Sequence, residues 1–211
     1  MRDGQGAPSC TLKYKKDSCP LPKKAGAMLS ELVQTTNLFR LLHCIDVDLA
    51  NKHQEAGCPF CGGRLHYSTY KRQPRGGPED IPEECQVRLS LCCSHPECRR
   101  RSLPPSVLFM GRRIYWKIVI LVVVTLRSNS PSQTSKSRLR QLFDVDSKTV
   151  SRWVSYFRTI FPSSPVWQSI RGRICSSVKD TDLPGGLIGY FLTHSPTAVQ
   201  GVIRCLQFLS I

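Results

Sequence analysis

The amino-acid sequence predicts an α+β protein in which a small cysteine-rich ribbon is followed by a mainly helical segment. Three observations lead to this fold class. Two close pairs of cysteines flank two short stretches in which apolar and polar residues alternate, as they do in half-buried strands. Apolar residues recur at helical spacing on both sides of that region. The chain has 211 residues, 40% of them hydrophobic, which is enough to bury a core.

Shifts in composition divide the chain into five segments. They are a disordered basic tail at residues 1–27, N-terminal helices at residues 28–54, the ribbon at residues 55–111, a helical segment at residues 112–162 and a C-terminal helical extension at residues 163–211. The tail mixes Gly, Pro, Lys and Ser without a period. In the N-terminal helices we expect Cys44 to be packed and His43 to lie on the helix surface.

The ribbon opens with Cys58 and Cys61, which are separated by two residues and followed by two glycines. Two thiolates at this spacing can bind one tetrahedral zinc ion, and glycine permits the positive φ that points backbone N–H groups at sulfur. A second pair, Cys93 and Cys98, follows the second predicted strand. We therefore predict a four-cysteine zinc ribbon with Zn²⁺ in a structural role, because four protein ligands leave no position for water.

Other ligand sets remain open at this stage. Cys92 adjoins Cys93 and could replace it, His95 lies inside the second pair, and Cys85 is a more distant candidate. Four buried free thiols are the alternative to a metal site. Residues 1–22 contain no apolar leader, so we expect the eleven cysteines to lie in a reducing cytoplasm, where clustered cysteines indicate metal more often than disulfides.

The two predicted strands are residues 64–70 and residues 86–91. The residues between them include Pro74, Gly76, Gly77, Pro78 and Pro82, which exclude regular structure. The pattern therefore predicts a ribbon whose hairpin is enlarged by a long flexible loop.

The helical segment begins with residues 112–126, which are predicted as a buried helix although their Val and Ile content also suits a strand. Its apolar run, residues 118–126, is well short of the ~20 residues that a membrane-spanning helix requires, so no membrane partner is expected. Residues 129–137 have the composition of a linker. Residues 138–160 are helical by pattern, with one break, and Pro162 and Pro165 end the helix.

Residues 139–153 have the apolar placement of a helix-turn-helix. Ser147 is the expected N-cap, which makes residues 148–158 the recognition helix. Arg140 and Asp144 depart from the usual pattern, but Asp tolerates a left-handed backbone better than most residues. The apolar anchors are Leu139 and Phe143 in the first helix, Val145 in the turn, and Val150, either Trp153 or Val154, and Phe157 in the second helix.

The distribution of charge indicates a polyanionic partner. The net charge is +15, and residues 99–158 hold thirteen Lys and Arg against two acids, so this stretch carries +11 of it. On the second helix Arg152 could bind a guanine edge and Lys148 a phosphate. The alternative is an ordinary pair of amphipathic helices with a cationic face. The side chains expected to contact duplex DNA are Arg138, Arg140, Lys148, Thr149, Ser151, Arg152 and Ser155.

The C-terminal extension contains a predicted turn at Pro184, Gly185 and Gly186. Ser195 is the expected N-cap of a final helix that runs to about residue 209. Its broad apolar face should pack on the domain or on a second copy of the chain, so a homodimer is the other partner considered.

The order CPFCGG, a strand, CCSHPECRRRSLPPSVLFMGRRIY and LFDVDSKTVSRW resembles the zinc-ribbon and helix-turn-helix front portion of insertion-sequence transposases and of stand-alone transposon-related proteins. The resemblance covers residues 55–160. It implies that Cys58, Cys61, Cys93 and Cys98 are ligands and that the second helix reads terminal repeats or an operator. Such transposases also carry a ribonuclease-H-like domain with three carboxylates that bind two metal ions. Here only Asp180 and Asp182 follow Asp146, so we expect no transposase catalysis by this chain alone.

These observations predict a zinc-dependent DNA-binding protein that acts as a regulator or accessory factor and is not an enzyme, without a small-molecule substrate. An RNA-binding or protein-interaction zinc module is the alternative. A third hypothesis, an enzyme, requires Asp180, Asp182 and His194 to form a metal site.

Overall fold

The computed structural model describes residues 25–129, 135–174 and 178–210. In this part the chain forms eight α-helices and two small antiparallel sheets, which confirms the α+β class. Most of the predicted basic tail lies outside the described residues. Its last three residues do not belong to a tail, because helix α1 (Ala25–Val33) begins there and Ala25 is buried.

The predicted N-terminal helices are present as α1 and α2 (Thr36–Glu55). The buried residues of α2 include Leu38, Leu42 and Asp46, which follow one stripe along the helix. Cys44 falls outside that stripe and is exposed, so the prediction that it is packed was wrong. His43 is half-buried, and its Nδ1 atom has no hydrogen-bond partner among the described residues.

Five short strands form the ribbon: β1 (Leu65–Tyr67), β2 (Tyr70–Lys71), β3 (Val87–Arg88), β4 (Leu91–Cys93) and β5 (Arg101–Ser102). The larger sheet has the order β1-β4-β5, and β2 pairs with β3. Tyr67 faces Leu91 and Tyr70 faces Arg88, so both ladders share one register. The two predicted strands are therefore one interrupted hairpin, to which β5 adds an edge that the sequence pattern did not predict.

The predicted flexible loop is packed against the helical core. A Cβ atom on Gly77 would lie 2.7 Å from Ile81 and 2.8 Å from Trp116. Gly76 has a φ of +84°, and a Cβ atom there would lie 2.9 Å from the carbonyl oxygen of Phe143. The glycines therefore allow close approach of the loop, which is a different role from the flexibility that the sequence suggested.

Helix α3 (Lys117–Asn129) lies at the centre of the core and is apolar on all sides, as predicted. It begins five residues later than predicted, because the residues before it form bridges: Tyr115 with Arg75 and Trp116 with Phe109. Helix α1 and three later helices pack on it. The helix thus joins the N-terminal, ribbon-side and C-terminal parts of the chain in one core.

The remaining helices are α4 (Lys136–Phe143), α5 (Ser147–Ser155), α6 (Pro165–Ile170), α7 (Gly185–Thr193) and α8 (Ala198–Phe208). A π-helical turn, Tyr156–Ile160, and a 3-10 turn, Phe161–Ser163, follow α5. Residues 130–134 of the predicted linker lie outside the described residues. The end of that linker is helical, because Ser135 caps α4 by accepting a hydrogen bond from the Arg138 N–H at 3.2 Å.

Two details of the C-terminal extension differ from prediction. Gly185 and Gly186 begin α7 and do not form a turn. Thr197, not Ser195, caps α8, because its side chain accepts a hydrogen bond from the Gln200 N–H at 3.3 Å. Helix α8 packs on α7, where a Cβ on Gly201 would lie 3.0 Å from the Leu192 backbone.

A buried polar network links α2, α3 and the end of α8. Lys117 is only 4% exposed, and its Nζ donates to the carbonyl oxygens of Ser106 and Leu209 at 3.0 Å each and to Ser210 Oγ at 2.6 Å. Asp46 accepts from the Val107 N–H at 2.6 Å and from Ser106 Oγ. Burial lowers the pKa of Lys117 to about 7 and raises that of Asp46. Lys117 was counted in the basic stretch, but it does not contribute to the surface.

Candidate metal centre and nucleic-acid surface

The four cysteines predicted as ligands lie together at one end of the larger sheet. Their sulfur atoms are all within 4.8 Å of one another. Two of the separations are 3.8 Å, between Cys58 and Cys98, and 3.5 Å, between Cys61 and Cys93. All four are free thiols. The structure therefore forms a group that could hold a metal ion.

Backbone geometry directs hydrogen-bond donors at the sulfurs. The residue after each pair has a positive φ, +72° at Gly62 and +46° at Arg99, so the two knuckles turn in the same way. The His95 N–H donates to Cys93 Sγ at 3.4 Å. Each thiol accepts a hydrogen bond from the backbone N–H two residues further on: Cys58 from Phe60, Cys61 from Gly63, Cys93 from His95 and Cys98 from Arg100.

The pKa shifts of the four thiols favour the loss of one proton near neutral pH. The loss of further protons requires a nearby cation. The Phe60 N–H lowers the pKa of Cys58 to about 7. Amide hydrogen bonds also act to lower the pKa of the other three thiols, but burial and contacts among the thiols outweigh them and raise it. A bound metal ion would supply the missing positive charge, because metal-coordinated thiols are deprotonated.

The cluster is closely built on its inner side. Cys58 and Cys93 are buried in a small core with Leu65 and Leu91. A Cβ atom on Gly63 would lie 3.2 Å from the sulfur of Cys93 and 3.3 Å from that of Cys61, so a side chain there would enter the thiol group. Cys61 is exposed, and this edge of the site faces solvent.

The other ligand candidates do not belong to the group. Cys92 is on the opposite face of β4, and its sulfur lies 3.5 Å from the Arg99 carbonyl oxygen. Cys85 is buried in the main core, where burial raises its pKa to about 11. His95 approaches Cys93 through its backbone N–H. The preference for Cys93 over Cys92 therefore agrees with the geometry.

Helices α4 and α5 are joined by a two-residue turn and the N-cap of α5. Asp144 has the left-handed conformation, with φ 47° and ψ 45°, and its N–H donates to the Arg140 carbonyl at 2.9 Å. Val145 is buried beneath the turn. Asp146 is the N-cap of α5, so the prediction of Ser147 was wrong by one residue. Its carboxylate accepts from the Lys148 N–H at 2.8 Å, and this bond lowers the pKa of Asp146.

Helix α5 has one buried and one exposed face. Val150, Trp153 and then Phe157 enter the core, and α5 packs on α3. Lys148 and Arg152 lie on the outer face, where they are exposed. The helix contains no Asp or Glu between Ser147 and Ser155. Helix α5 therefore presents a cationic surface to solvent while its apolar face packs on the central helix.

The seven predicted DNA contacts lie on α4 and α5. All of them are exposed except Thr149, which is half-buried and accepts a hydrogen bond from Arg152 Nη2 at 3.2 Å. Lys136 is not among the predicted DNA contacts. It donates to Ser151 Oγ at 2.9 Å and so adds a cation to this surface. The sequence pattern does not show that Lys136 lies beside α5, because Lys136 and Ser151 are 15 residues apart in the chain.

The acidic candidates for catalysis do not form a metal site. Asp180 accepts from Trp167 Nε1 at 2.7 Å and pairs with Arg171 at 3.4 Å. His194 Nδ1 lies 2.8 Å from the Tyr190 carbonyl oxygen. Among the described residues, the four cysteines are the sole group of three or more potential ligands close enough to share an ion.

No helix in the described ranges is long and apolar enough to cross a membrane. Comparison with known proteins found no family model that matches the chain, and no curated protein or solved structure that is significantly similar to it.

Proposed function

We propose that the chain is a duplex-DNA-binding protein in which α4, the turn and α5 act as a helix-turn-helix, with α5 as the recognition helix. It acts as a regulator or accessory factor of transposon-related origin in the cytoplasm, and it has no catalytic role. Zn²⁺ bound by Cys58, Cys61, Cys93 and Cys98 fixes the ribbon.

The observation that carries this proposal is the outer face of α5. Lys148 and Arg152 are exposed on a helix without carboxylates, whose other face is anchored by Trp153 in the core. A rigid helix with a protruding Arg suits the major groove, because a guanidinium can bind guanine O6 and N7 together. The helix begins at a capped turn, so the direction of its first residues is also fixed.

The thiol geometry fits zinc. Four sulfurs at about 2.3 Å from a tetrahedral ion lie roughly 3.8 Å apart. Two of the six sulfur separations, 3.8 Å and 3.5 Å, are close to this value, and all six are within 4.8 Å, which supports a tetrahedral site. Four thiolates complete the coordination, so the ion would stabilise the fold and would not activate water.

The ribbon is connected to α5 through a short chain of contacts. Arg72, next to β2, donates to the carbonyl oxygens of Gly111 at 2.7 Å and Arg113 at 2.6 Å. The guanidinium of Arg113 lies 4.4 Å from the ring centroid of Tyr156, at the end of α5. We therefore expect loss of the metal to weaken DNA binding by releasing this side of α5.

The test is selection of a preferred sequence from a random duplex pool, followed by binding of Arg152→Ala. We expect this variant to lose about 1–3 kcal/mol of discrimination at one base position, because the base contact is removed. Arg173→Ala removes the same charge from an exposed 3-10 turn and should keep the wild-type preference. Unchanged preference in the Arg152 variant would contradict the assignment of α5.

A second candidate, binding of single-stranded RNA by the ribbon, is favoured by two exposed aromatic rings. Phe60 is 56% exposed with Arg100 4.8 Å from its centroid, and Tyr70 is 38% exposed with Arg101 at 5.7 Å. Such rings can stack unpaired bases. Tighter binding of single-stranded RNA than of duplex DNA, lost in Phe60→Ala and kept in Arg152→Ala, would establish this candidate instead.

A further inference from the structure

Two concave basic surfaces flank the outer face of α5. The first, here called the α3–α5 cleft, has a volume of about 390 Å³. The second, the Arg113 cleft, is shallower and more open, has a volume of about 570 Å³ and includes Arg112, Arg113 and Tyr156. The polar residues of the α3–α5 cleft are Arg127, Lys136, Ser151, Ser155, Arg158 and Thr159.

The α3–α5 cleft has the chemistry of an anion site. Its cations come from three elements: Arg127 from the end of α3, Lys136 from the start of α4 and Arg158 from the π-helical turn. Its lining contains no carboxylate from the part of the chain that the structure describes. The ion pair found among the described residues joins Arg171 to Asp180. Neither Lys136 nor Arg158 is therefore paired with a described carboxylate. The positive charges of Lys136 and Arg158 thus lie in the cleft without a counter-charge from the described carboxylates.

Hydroxyl groups complete the α3–α5 cleft. Ser151 donates to the Ser147 carbonyl at 3.1 Å, and Thr159 donates to the Ser155 carbonyl at 2.8 Å, so both protons are used within the helix. The Ser155 hydroxyl is exposed and has no partner among the described residues, which leaves its proton available to an anion. Lysine, arginine and serine side chains are among those that typically contact phosphate oxygens.

The two clefts lie on opposite sides of the outer face of α5. With 3.6 residues per turn, Ser151 and Ser155 lie on one side of Lys148 and Arg152, and Tyr156 lies on the other. The Arg113 cleft is held by Arg72, which fixes the backbone at Gly111 and Arg113. Arg112 is exposed beside it.

We infer that the two clefts are phosphodiester sites, one for each strand of the duplex whose major groove receives α5. This inference rests on the proposed function and adds the way in which the DNA backbone is held. The two phosphate strands border the major groove, so a helix inserted between them meets one on each flank. The clefts set the depth and direction of α5, while Arg152 and its neighbours read the bases.

The experiment measures Kd for a random duplex pool over a series of salt concentrations. In Lys136→Ala/Arg158→Ala we expect the slope of log K against log salt to become shallower by about 2, since each lost phosphate contact removes about 0.9. In Arg112→Ala it should become shallower by about 1. Binding should weaken uniformly across sequences, whereas Arg152→Ala alters sequence preference.

The matched control is Arg173→Ala/Lys179→Ala, which removes two exposed cations that line neither cleft and should keep the wild-type slope. Lys136→Arg/Arg158→Lys keeps the charge and should also keep the slope, so it separates charge from any effect of the alanines on folding. A wild-type slope in Lys136→Ala/Arg158→Ala, with wild-type binding intact, would overturn the phosphate sites and leave the DNA-binding proposal standing. Absence of duplex binding by the wild type at low salt would overturn both.

Discussion

Lys117 shows how far one residue can depart from what its type and neighbours suggest. It belongs to the most basic stretch of the sequence, yet its ammonium group lies in the core and binds Ser106, Leu209 and Ser210. One of these partners, Ser210, follows the end of α8 and is 93 residues away from Lys117 in the chain. A local pattern carries no information about such a contact.

The depressed pKa of Lys117 predicts a pH dependence of stability. Its pKa is about 7 in the folded protein and 10.5 ordinarily, so the unfolded chain holds the proton more tightly between these values. The free energy of unfolding should therefore rise with pH across this window. From pH 7 to pH 9 we expect the wild type to gain about 2 kcal/mol relative to Lys117→Met, measured by urea unfolding.

Two comparisons isolate the effect of Lys117. Lys179→Met removes an exposed lysine and should keep the wild-type rise. Burial raises the pKa of Cys205 to about 12, which acts in the opposite direction above pH 9, but Cys205 is present in all three proteins. If the free energy of unfolding had the same pH dependence in the wild type and in Lys117→Met, the ammonium group of Lys117 would not be the cause of the rise.

Among single residues, the candidate ligands were the most predictable. Cys58, Cys61, Cys93 and Cys98 could be chosen because metal ligands need a fixed spacing, and the fold brings their sulfurs together. Asp146 was missed as the N-cap because Ser147 is an equally good capping residue, and only backbone dihedral angles distinguish the two. Cys44 was placed on the wrong face of α2 because the helix buries Leu42 and Asp46 instead.

At the scale of elements, strand and helix positions followed from periodicity, but contacts between elements did not. The positions of the two strands were predictable because apolar and polar residues alternate along them, but their register was not, since a shift of two residues keeps the same alternation. The loop between the strands has few apolar residues, so its packing on α3 and α4 leaves no pattern in the sequence. Its glycines, which suggest flexibility, permit close contact with Trp116 and Phe143 instead.

Gly76 tests whether this loop supports the turn before α5. Gly76→Ala and Gly111→Ala both place a Cβ at a positive φ, +84° and +54°, which costs about 1–2 kcal/mol in each. The Cβ at Gly76 would also lie 2.9 Å from the Phe143 carbonyl and from Val119, whereas the one at Gly111 meets nothing within 4 Å. We expect Gly76→Ala to lose about 1–3 kcal/mol more stability in urea unfolding. Equal losses would show that the loop does not bear on the core.

The whole molecule combines a cysteine cluster, which has a small core of its own, with a cationic helix anchored in the main apolar core. The α+β class and the order of ribbon and helices were predictable from the sequence, because cysteine spacing and apolar period are local properties. The position of the ribbon against α5 was not predictable, since it depends on Arg72, Arg113 and Tyr156 meeting in the fold. On our account this junction makes metal binding and DNA binding interdependent.

The most direct test is fluorescence anisotropy of the full chain with a random duplex pool, titrated with salt before and after treatment with a strong zinc chelator. We predict salt-sensitive binding that is lost when zinc is removed and returns when Zn²⁺ is added, because Arg72 and Arg113 connect the ribbon to the end of α5. Absence of binding at low salt would contradict the DNA-binding function. Binding that is unchanged after complete removal of zinc would contradict the coupling between the metal centre and α5.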